Sequence, residues 1–270
     1  MSVVQSEKRD NLARALKMLE EAREQGADVA VLPETPFAGW LSENAAQLAE
    51  TIPGPICSAL SEKARETGMA IVSGITEDKK AVTYNSAVLF DGNGQLISTY
   101  SKVNGWARHY LGLETYAQGT SLGVCQLGPG LVALTICSDS WVPYLTETVA
   151  RMGARVVLSP SAWASVPGEV DTNVASIKEY YRQRTTESQV YLVGVNSVGS
   201  MTEGFWKGRI VHGTSLVYGP GGRLLLEGPR GEEAVLLIDI PDEELVTRGA
   251  LAVDSTREEG SFPAEDTPRA

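Results

Sequence analysis

Apolar residues recur at helical spacing through residues 8 to 24, where Leu12, Ala15, Leu16, Leu19 and Ala22 alternate with Lys, Arg and Glu; this predicts an amphipathic helix. Gly26 stands where a C-cap is expected, and Val29 to Leu32 is short enough for a buried strand. A second cycle follows, with a helix over 56 to 67 ended by Gly68 and a strand over Met69 to Ile75. Two further strands, 81 to 90 and 95 to 101, flank Asp91-Gly92-Asn93-Gly94, whose residues tolerate the positive φ of hairpin turns. The middle repeats both motifs: strands at 124 to 127 and 131 to 136 around Gly128-Pro129-Gly130, a helix at 143 to 152, a strand at 156 to 159, a helix at 170 to 188 and a strand at 190 to 196. Strands at 214 to 218, 223 to 227 and 234 to 240 close the pattern, with Gly219 to Gly222 as a turn. Mixed strands with helices between them predict an α/β protein of two packed sheets covered by helices.

Beyond about residue 250 Asp, Glu, Pro, Ser and Thr dominate, so residues 1 to 250 are expected to form one domain and 251 to 270 an acidic tail, mobile or held by a partner subunit. Of the 270 residues 43% are hydrophobic and 21% charged, an ordinary globular balance. The 34 acidic and 23 basic residues leave a net charge of −11, which on balance repels nucleic acid and anionic membranes. No leader-like segment and no apolar run near eighteen residues is present, so a cytoplasmic protein is expected. Three scattered cysteines and two histidines fit neither a disulfide framework nor a zinc site, and no metal is expected.

Three apolar strands run into a polar or reactive residue just past their ends: Val-Leu-Pro-Glu34, Ser-Thr-Tyr-Ser-Lys102 and Leu-Thr-Ile-Cys137. Strand ends in layered α/β proteins fix a residue while the adjoining loop varies. A thiol attacking a carbonyl or nitrile carbon needs a proton acceptor and a cation or donor for the developing negative charge, which a carboxylate and an ammonium supply together. His109 and His212 stand in no such setting. Taken singly, a strand cysteine is usually packed and inert, and a lone lysine is usually at the surface.

Taken together and in order, these segments resemble the nitrilase superfamily of carbon-nitrogen hydrolases, on its amidase-like branch. Residues 8 to 34, with their closing Leu-Pro-Glu, are similar to the family's opening unit; Tyr-Ser-Lys-Val at 100 to 103 is similar to its lysine segment; Ile-Cys-Ser-Asp at 136 to 139 resembles its nucleophile elbow. The stretches 152 to 163, 184 to 196 and 213 to 222 extend the likeness. The resemblance implies a four-layer α-β-β-α sandwich with two mixed β-sheets, commonly a homodimer or higher homo-oligomer in which the C-terminal tail crosses to the partner. It implies that Cys137 attacks, that Glu34 is base and then acid, and that Lys102 and the Ser138 N–H hold the oxyanion. No cofactor is implied.

The sequence departs from the family in its loops. A second catalytic Glu is expected four positions before an aromatic; counted from Tyr116 that position holds Gly112, and the available carboxylate is Glu114. The Asp139 of Cys137-Ser138-Asp139 favours amide over nitrile, while Ser138 and the Trp141 to Tyr144 stretch point to a rebuilt pocket. Trp106, Trp141, Tyr144 and Trp163 are candidate walls; Arg108 and His109 are candidates for a substrate carboxylate, and Asp139 or Glu114 for a substrate amine. The expected function is thiol-dependent hydrolysis of a small linear amide through a thioester. N-carbamoyl hydrolysis, nitrile hydrolysis and acyl transfer are alternatives within the family; a catalytically silent binding protein on the same fold is the alternative of another class.

Overall fold

The computed structural model describes residues 1–105 and 115–246. Trp106, Arg108, His109 and Glu114, and the tail from 251 to 270, lie outside the described residues. Helix α1 spans Lys8–Glu24, β1 Val29–Val31, α2 Ala45–Leu48, α3 Pro55–Thr67, β2 Ala70–Lys79, β3 Val82–Phe90 and β4 Leu96–Ser101. Then come β5 Gly123–Leu127, β6 Gly130–Leu134, a short 3-10 turn Cys137–Trp141, α4 Pro143–Arg151, β7 Ala154–Ser161 and β8 Ala164–Ser165. The remainder is α5 Val170–Ser188, β9 Tyr191–Asn196, β10 Val198–Ser200, β11 Ile210–His212, β12 Leu216–Gly219, β13 Arg223–Glu227 and α6 Asp242–Leu245. Helix starts and stops follow local chemistry: α3 and α4 open on Pro55 and Pro143, and α3 ends at Gly68 in the left-handed region at φ 69°.

One sheet has the order β1-β2-β3-β4 and the other β13-β12-β9-β7-β6-β5, each mixing parallel and antiparallel pairs. The parallel pairs β6–β7 and β7–β9 need crossovers, which α4 and α5 supply. Period-two alternation sets the layers. Along β2 and β3, Ala70, Val72, Ala87 and Leu89 face an inner core with Val132, Leu134 and Leu158 of the second sheet. The intervening Ile71, Ile75, Val88 and Phe90 face outward onto Leu19, Leu60 and Ala64 of α1 and α3. Val149 of α4 and Ile177 and Tyr181 of α5 join the inner core from beyond the second sheet. The order is therefore helices, sheet, sheet, helices.

Two features depart from the sequence reading. The strand expected over 234 to 240 is absent, and that stretch has no ladder partner among the described residues. Val235 packs on the outer cluster of the first sheet and Ile240 on the inner core. The segment thus crosses between layers, its apolar residues anchored singly rather than by strand pairing. A third, small sheet ordered β10-β11-β8 also forms, from strands of two or three residues that are too short to carry a period. It lies just past the carboxyl ends of β7 and β9, and its β10–β11 loop brings in Trp206 and Arg209. Among the described residues no helix is long and apolar enough to cross a membrane.

Candidate active site

Glu34, Lys102 and Cys137 meet where β1, β4 and β6 end. Glu34 is 1% exposed, and its backbone passes directly over β2, where Gly74 N–H donates to the Pro33 carbonyl at 3.1 Å. Only glycine fits there, because a Cβ on Gly74 would lie 2.5 Å from Thr35 N, 2.6 Å from Pro33 O and 2.8 Å from Glu34 Cα. A Gly74→Ala substitution is accordingly expected to shift Glu34 and lower kcat about 10- to 100-fold, since misplacement by an ångström is enough for such losses. Steady-state kinetics beside a melting curve would check this; wild-type kcat in a folded variant would show that the strand yields without moving the carboxylate.

Lys102 Nζ donates to Glu34 Oε1 at 2.7 Å, and the same oxygen accepts Asn85 Nδ2 at 2.6 Å. Burial by itself lowers the Lys102 ammonium, but the charges of Glu34, Cys137 and Asp139 outweigh it, so its pKa is raised and it stays charged. Glu34 Oε2 is buried and has no hydrogen-bond partner among the described residues, which leaves it available to take a proton. Removing the lysine leaves a buried carboxylate unpaired, at a typical cost of about 3–5 kcal/mol. Lys102→Met is expected to lower both the melting temperature and, by on the order of 10²- to 10³-fold, kcat; a variant of undiminished turnover would remove Lys102 from the machinery.

Cys137 follows β6 at φ 50°, a left-handed conformation in which a non-glycine residue is strained. The strain lifts the residue out of the strand and into the first position of the 3-10 turn. Burial, and then the Glu34 carboxylate, push its thiol well above the ordinary range, against the pull of Lys102 and the Ala162 N–H. At neutral pH the thiol is protonated, so attack requires a base beside it.

Asp139, a candidate for a substrate amine in the sequence, is engaged by the protein itself and does not line the cavity. Fully buried, it accepts hydrogen bonds from Ile136 N–H at 2.8 Å, Asn104 N–H at 2.8 Å and Tyr100 O–H at 2.7 Å. Asn104 Nδ2 in turn donates to the Ser138 carbonyl at 2.6 Å, so this network holds the turn that carries Cys137. Tyr144 also departs from expectation: it is 66% exposed on the first turn of α4 and does not line the cavity. A residue at the outer start of a helix faces solvent once Leu145 and Val149 take the buried stripe.

The cavity over Cys137 has a volume of about 650 Å³, in the range of small-molecule sites. Lys102, Asn85, Ser138, Trp141 and Trp163 line it. The Trp141 and Trp163 rings lie 5.3 Å apart, and Asn196 fixes Trp163 by accepting its N–H at 2.7 Å. Sequence reasoning missed Asn85, Trp40, Trp206 and Arg209, all of which line the cavity. Asn85 left one usable signal: an amide side chain inside an otherwise β-favouring strand is disfavoured unless it has a task. The other three sit on loops whose approach to Cys137 is decided by the fold. His212 is buried, lowered to about 4 by desolvation, and pairs through Nε2 with Asn173 at 2.9 Å. It is neutral and stands behind the cavity wall. Among the described residues no group of His, Cys, Asp or Glu is arranged to hold a metal ion.

The carbon-nitrogen hydrolase family model matches residues 1–247. The chain belongs to the carbon-nitrogen hydrolase family. This hydrolase is 30% identical over 244 residues to omega-amidase NIT2 of Danio rerio, covering 86% of this chain and 83% of the relative. It is 26% identical over 254 residues to omega-amidase NIT2 of Homo sapiens, covering 90% and 87%. Among solved structures it superposes on a mutant of the amidase from Nesterenkonia sp. AN1 that shows Michael addition of acrylamide at the active-site cysteine. The TM-score is 0.76 at 25% identity, covering 90% of this chain and 92% of that one. The likeness spans both sheets and their helices, so the hydrolase shares the mixed α/β architecture of that amidase.

Proposed function

We propose that this carbon-nitrogen hydrolase is an amidase that cleaves a small linear amide through a thioester on Cys137. The observation that carries the reading is that a buried protonated thiol and a charged ammonium line one cavity, with the ammonium paired to a carboxylate that keeps one unpaired oxygen. The amidase and omega-amidase relatives support the amide as substrate class. In the first half-reaction Glu34 takes the thiol proton as Sγ bonds to the amide carbon. The oxyanion is held by Lys102 and the Ser138 N–H at the start of the 3-10 turn. Collapse breaks the C–N bond, Glu34 gives the proton to the nitrogen, and ammonia or an amine leaves. In the second half Glu34 takes a proton from water as its oxygen attacks the thioester; the C–S bond breaks, the acid leaves, and the proton returns to sulfur.

The working form is read as a cytoplasmic homodimer. An edge strand, β13, that carries the exposed Leu224 and Leu225 supports a second copy, and the net charge of −11, which on balance repels anionic membranes, supports the cytoplasmic setting.

The test is to incubate the protein with amides, N-carbamoyl compounds and nitriles of matched length, measuring ammonia and the intact mass of the chain. Fastest ammonia release from the amides, with an acyl increment on Cys137 caught by rapid acid quench, is the expected outcome. Preferred turnover of carbamoyl compounds or nitriles would reassign the substrate, and no turnover or adduct with any of them would sink the reading.

A further inference from the structure

His212 is a buried histidine that the acyl chemistry does not use, and it holds a residue of the catalytic cavity. It is 2% exposed and, lowered to about 4 by desolvation, its ring is neutral. A neutral imidazole carries a single N–H. Nε2 faces Asn173 Oδ1 at 2.9 Å, so the proton sits there and His212 donates to the amide oxygen. That bond fixes which way round the Asn173 amide stands: Oδ1 is turned to His212 and Nδ2 is the open edge. Asn173 lines the cavity that Cys137 and Lys102 also line, and it has no other hydrogen bond among the described residues.

Asn173 belongs to a polar face. Glu169, Thr172, Asn173 and Ser176 all line the cavity, and their spacing of three and four residues sets them on one side of the start of α5. Val174, Ile177 and Tyr181 take the buried side. Ser176 Oγ donates to the Thr172 carbonyl at 3.0 Å, which leaves its lone pairs open. Ser165 of β8 adds a second donor to the same cavity. It is 3% exposed, yet its hydroxyl has no hydrogen-bond partner among the described residues. A buried hydroxyl left without a partner is costly, and a bound group that pairs with it removes the cost. The small third sheet ties Ser165 to His212, since Ser165 pairs with Ile210 on β11, the strand that ends at His212.

The chemistry of these groups selects their ligand. Asn173 Nδ2 donates, while the hydroxyls of Ser165, Thr172 and Ser176 donate or accept. The carboxylate on this face of α5, Glu169, lies one turn before Asn173 and disfavours an anion beside it. An uncharged group that both accepts and donates suits all of them, and a hydroxyl is such a group. We propose that Asn173 and Ser165 form a hydroxyl-binding subsite of the catalytic cavity, with His212 as the positioning residue that sets the Asn173 amide, so that the preferred substrate is the amide of a hydroxylated acid. This deepens the amidase reading and rests on it for the reaction, though not for the binding. Neutral hydrogen bonds of this kind favour such a substrate over its methyl-terminated counterpart by on the order of 10-fold.

The experiment compares short ω-hydroxy amides of graded chain length with the methyl-terminated amides isosteric with them, and with ω-amino amides and diacid monoamides of matched length. The wild-type protein is expected to favour the hydroxyl in kcat/KM, and Asn173→Ala to bring the hydroxyl-to-methyl ratio toward one, mainly through KM. Ser165→Ala is expected to lower the ratio in part. His212→Phe fills the same space without the donor and is expected to lower the ratio, whereas His212→Gln keeps an N–H and restores part of it; a residue that only packs would be replaced better by phenylalanine. Asn173→Ala alters a half-buried side chain and reads the subsite even where His212→Phe fails to fold. Binding of the ω-hydroxy amides to Cys137→Ala, with and without Asn173→Ala, is followed by calorimetry and reads the subsite without turnover. Amide turnover with no hydroxyl preference in the wild type, an unchanged ratio in Asn173→Ala, or a preference for the ω-amino amide or the monoamide carboxylate would each overturn the subsite while leaving the amidase standing. An unchanged ratio in a folded His212→Phe would overturn the positioning role. Asn173-dependent binding without turnover of any amide would uphold the subsite and remove the amidase reading.

Discussion

Replacing Glu34 by glutamine is expected to lower amide turnover by on the order of 10³- to 10⁴-fold, because one carboxylate serves both proton transfers in both half-reactions. Glutamine is nearly isosteric and keeps an oxygen for Lys102 and Asn85, so the loss reports proton transfer rather than packing. The same substitution has a second consequence of opposite sign. Burial and the Glu34 charge hold the Cys137 thiol well above the ordinary range, while Lys102 and the Ala162 N–H pull it down. A neighbouring anion disfavours the thiolate, so removing it lowers the thiol pKa. Alkylation of Cys137 by iodoacetamide is therefore expected to rise only at strongly alkaline pH in the wild type, and at lower pH in Glu34→Gln. The variant is then a better thiolate and a far worse enzyme. Normal turnover, or an alkylation profile unmoved by the substitution, would contradict the arrangement of Glu34 against the thiol.

Cys137→Ala is expected to lose at least about 10⁴-fold in turnover, because without the sulfur no thioester forms and water has to attack an unactivated amide. Alanine can occupy the left-handed position at a strain similar to that of cysteine, and the Asp139 network that holds the turn does not involve the thiol. The variant should fold and bind substrate in the wild-type manner. Ammonia release at background rates, with substrate binding retained by calorimetry, is the expected pair of results. Ammonia release above one percent of wild type, by a conservative allowance for the about 10⁴-fold expectation, would place the nucleophile elsewhere.

Reading a site from a chain works best where covalent neighbours carry the signal. Glu34, Lys102 and Cys137 each stand at the end of an apolar run, so strand direction alone brings each to a strand mouth. The helix-strand alternation likewise made both main sheets legible, down to the Gly68 stop of α3 and the bounds of β13. The reading failed where a residue's role depended on distant partners. What engages Asp139 beside the nucleophile, Tyr100 and Asn104 more than thirty residues earlier, has no local signal in the chain. The apolar stretch 234 to 240 looks like a strand until the layers it crosses are known.

The sequence by itself determined the alternation of elements, the segregation of apolar faces and the three reactive residues with their order, because these follow from periodicity and from what immediately precedes each residue. Only the tertiary structure decided what surrounds them. It set the 2.7 Å pairing of Lys102 with Glu34, the second hold by Asn85, the backbone crossing that admits only Gly74, and the delivery of Arg209 and Trp206 from a loop between two three-residue strands. Long-range pairing of this kind depends on how layers stack and on which buried groups must find partners, and neither is written in any single window of the chain.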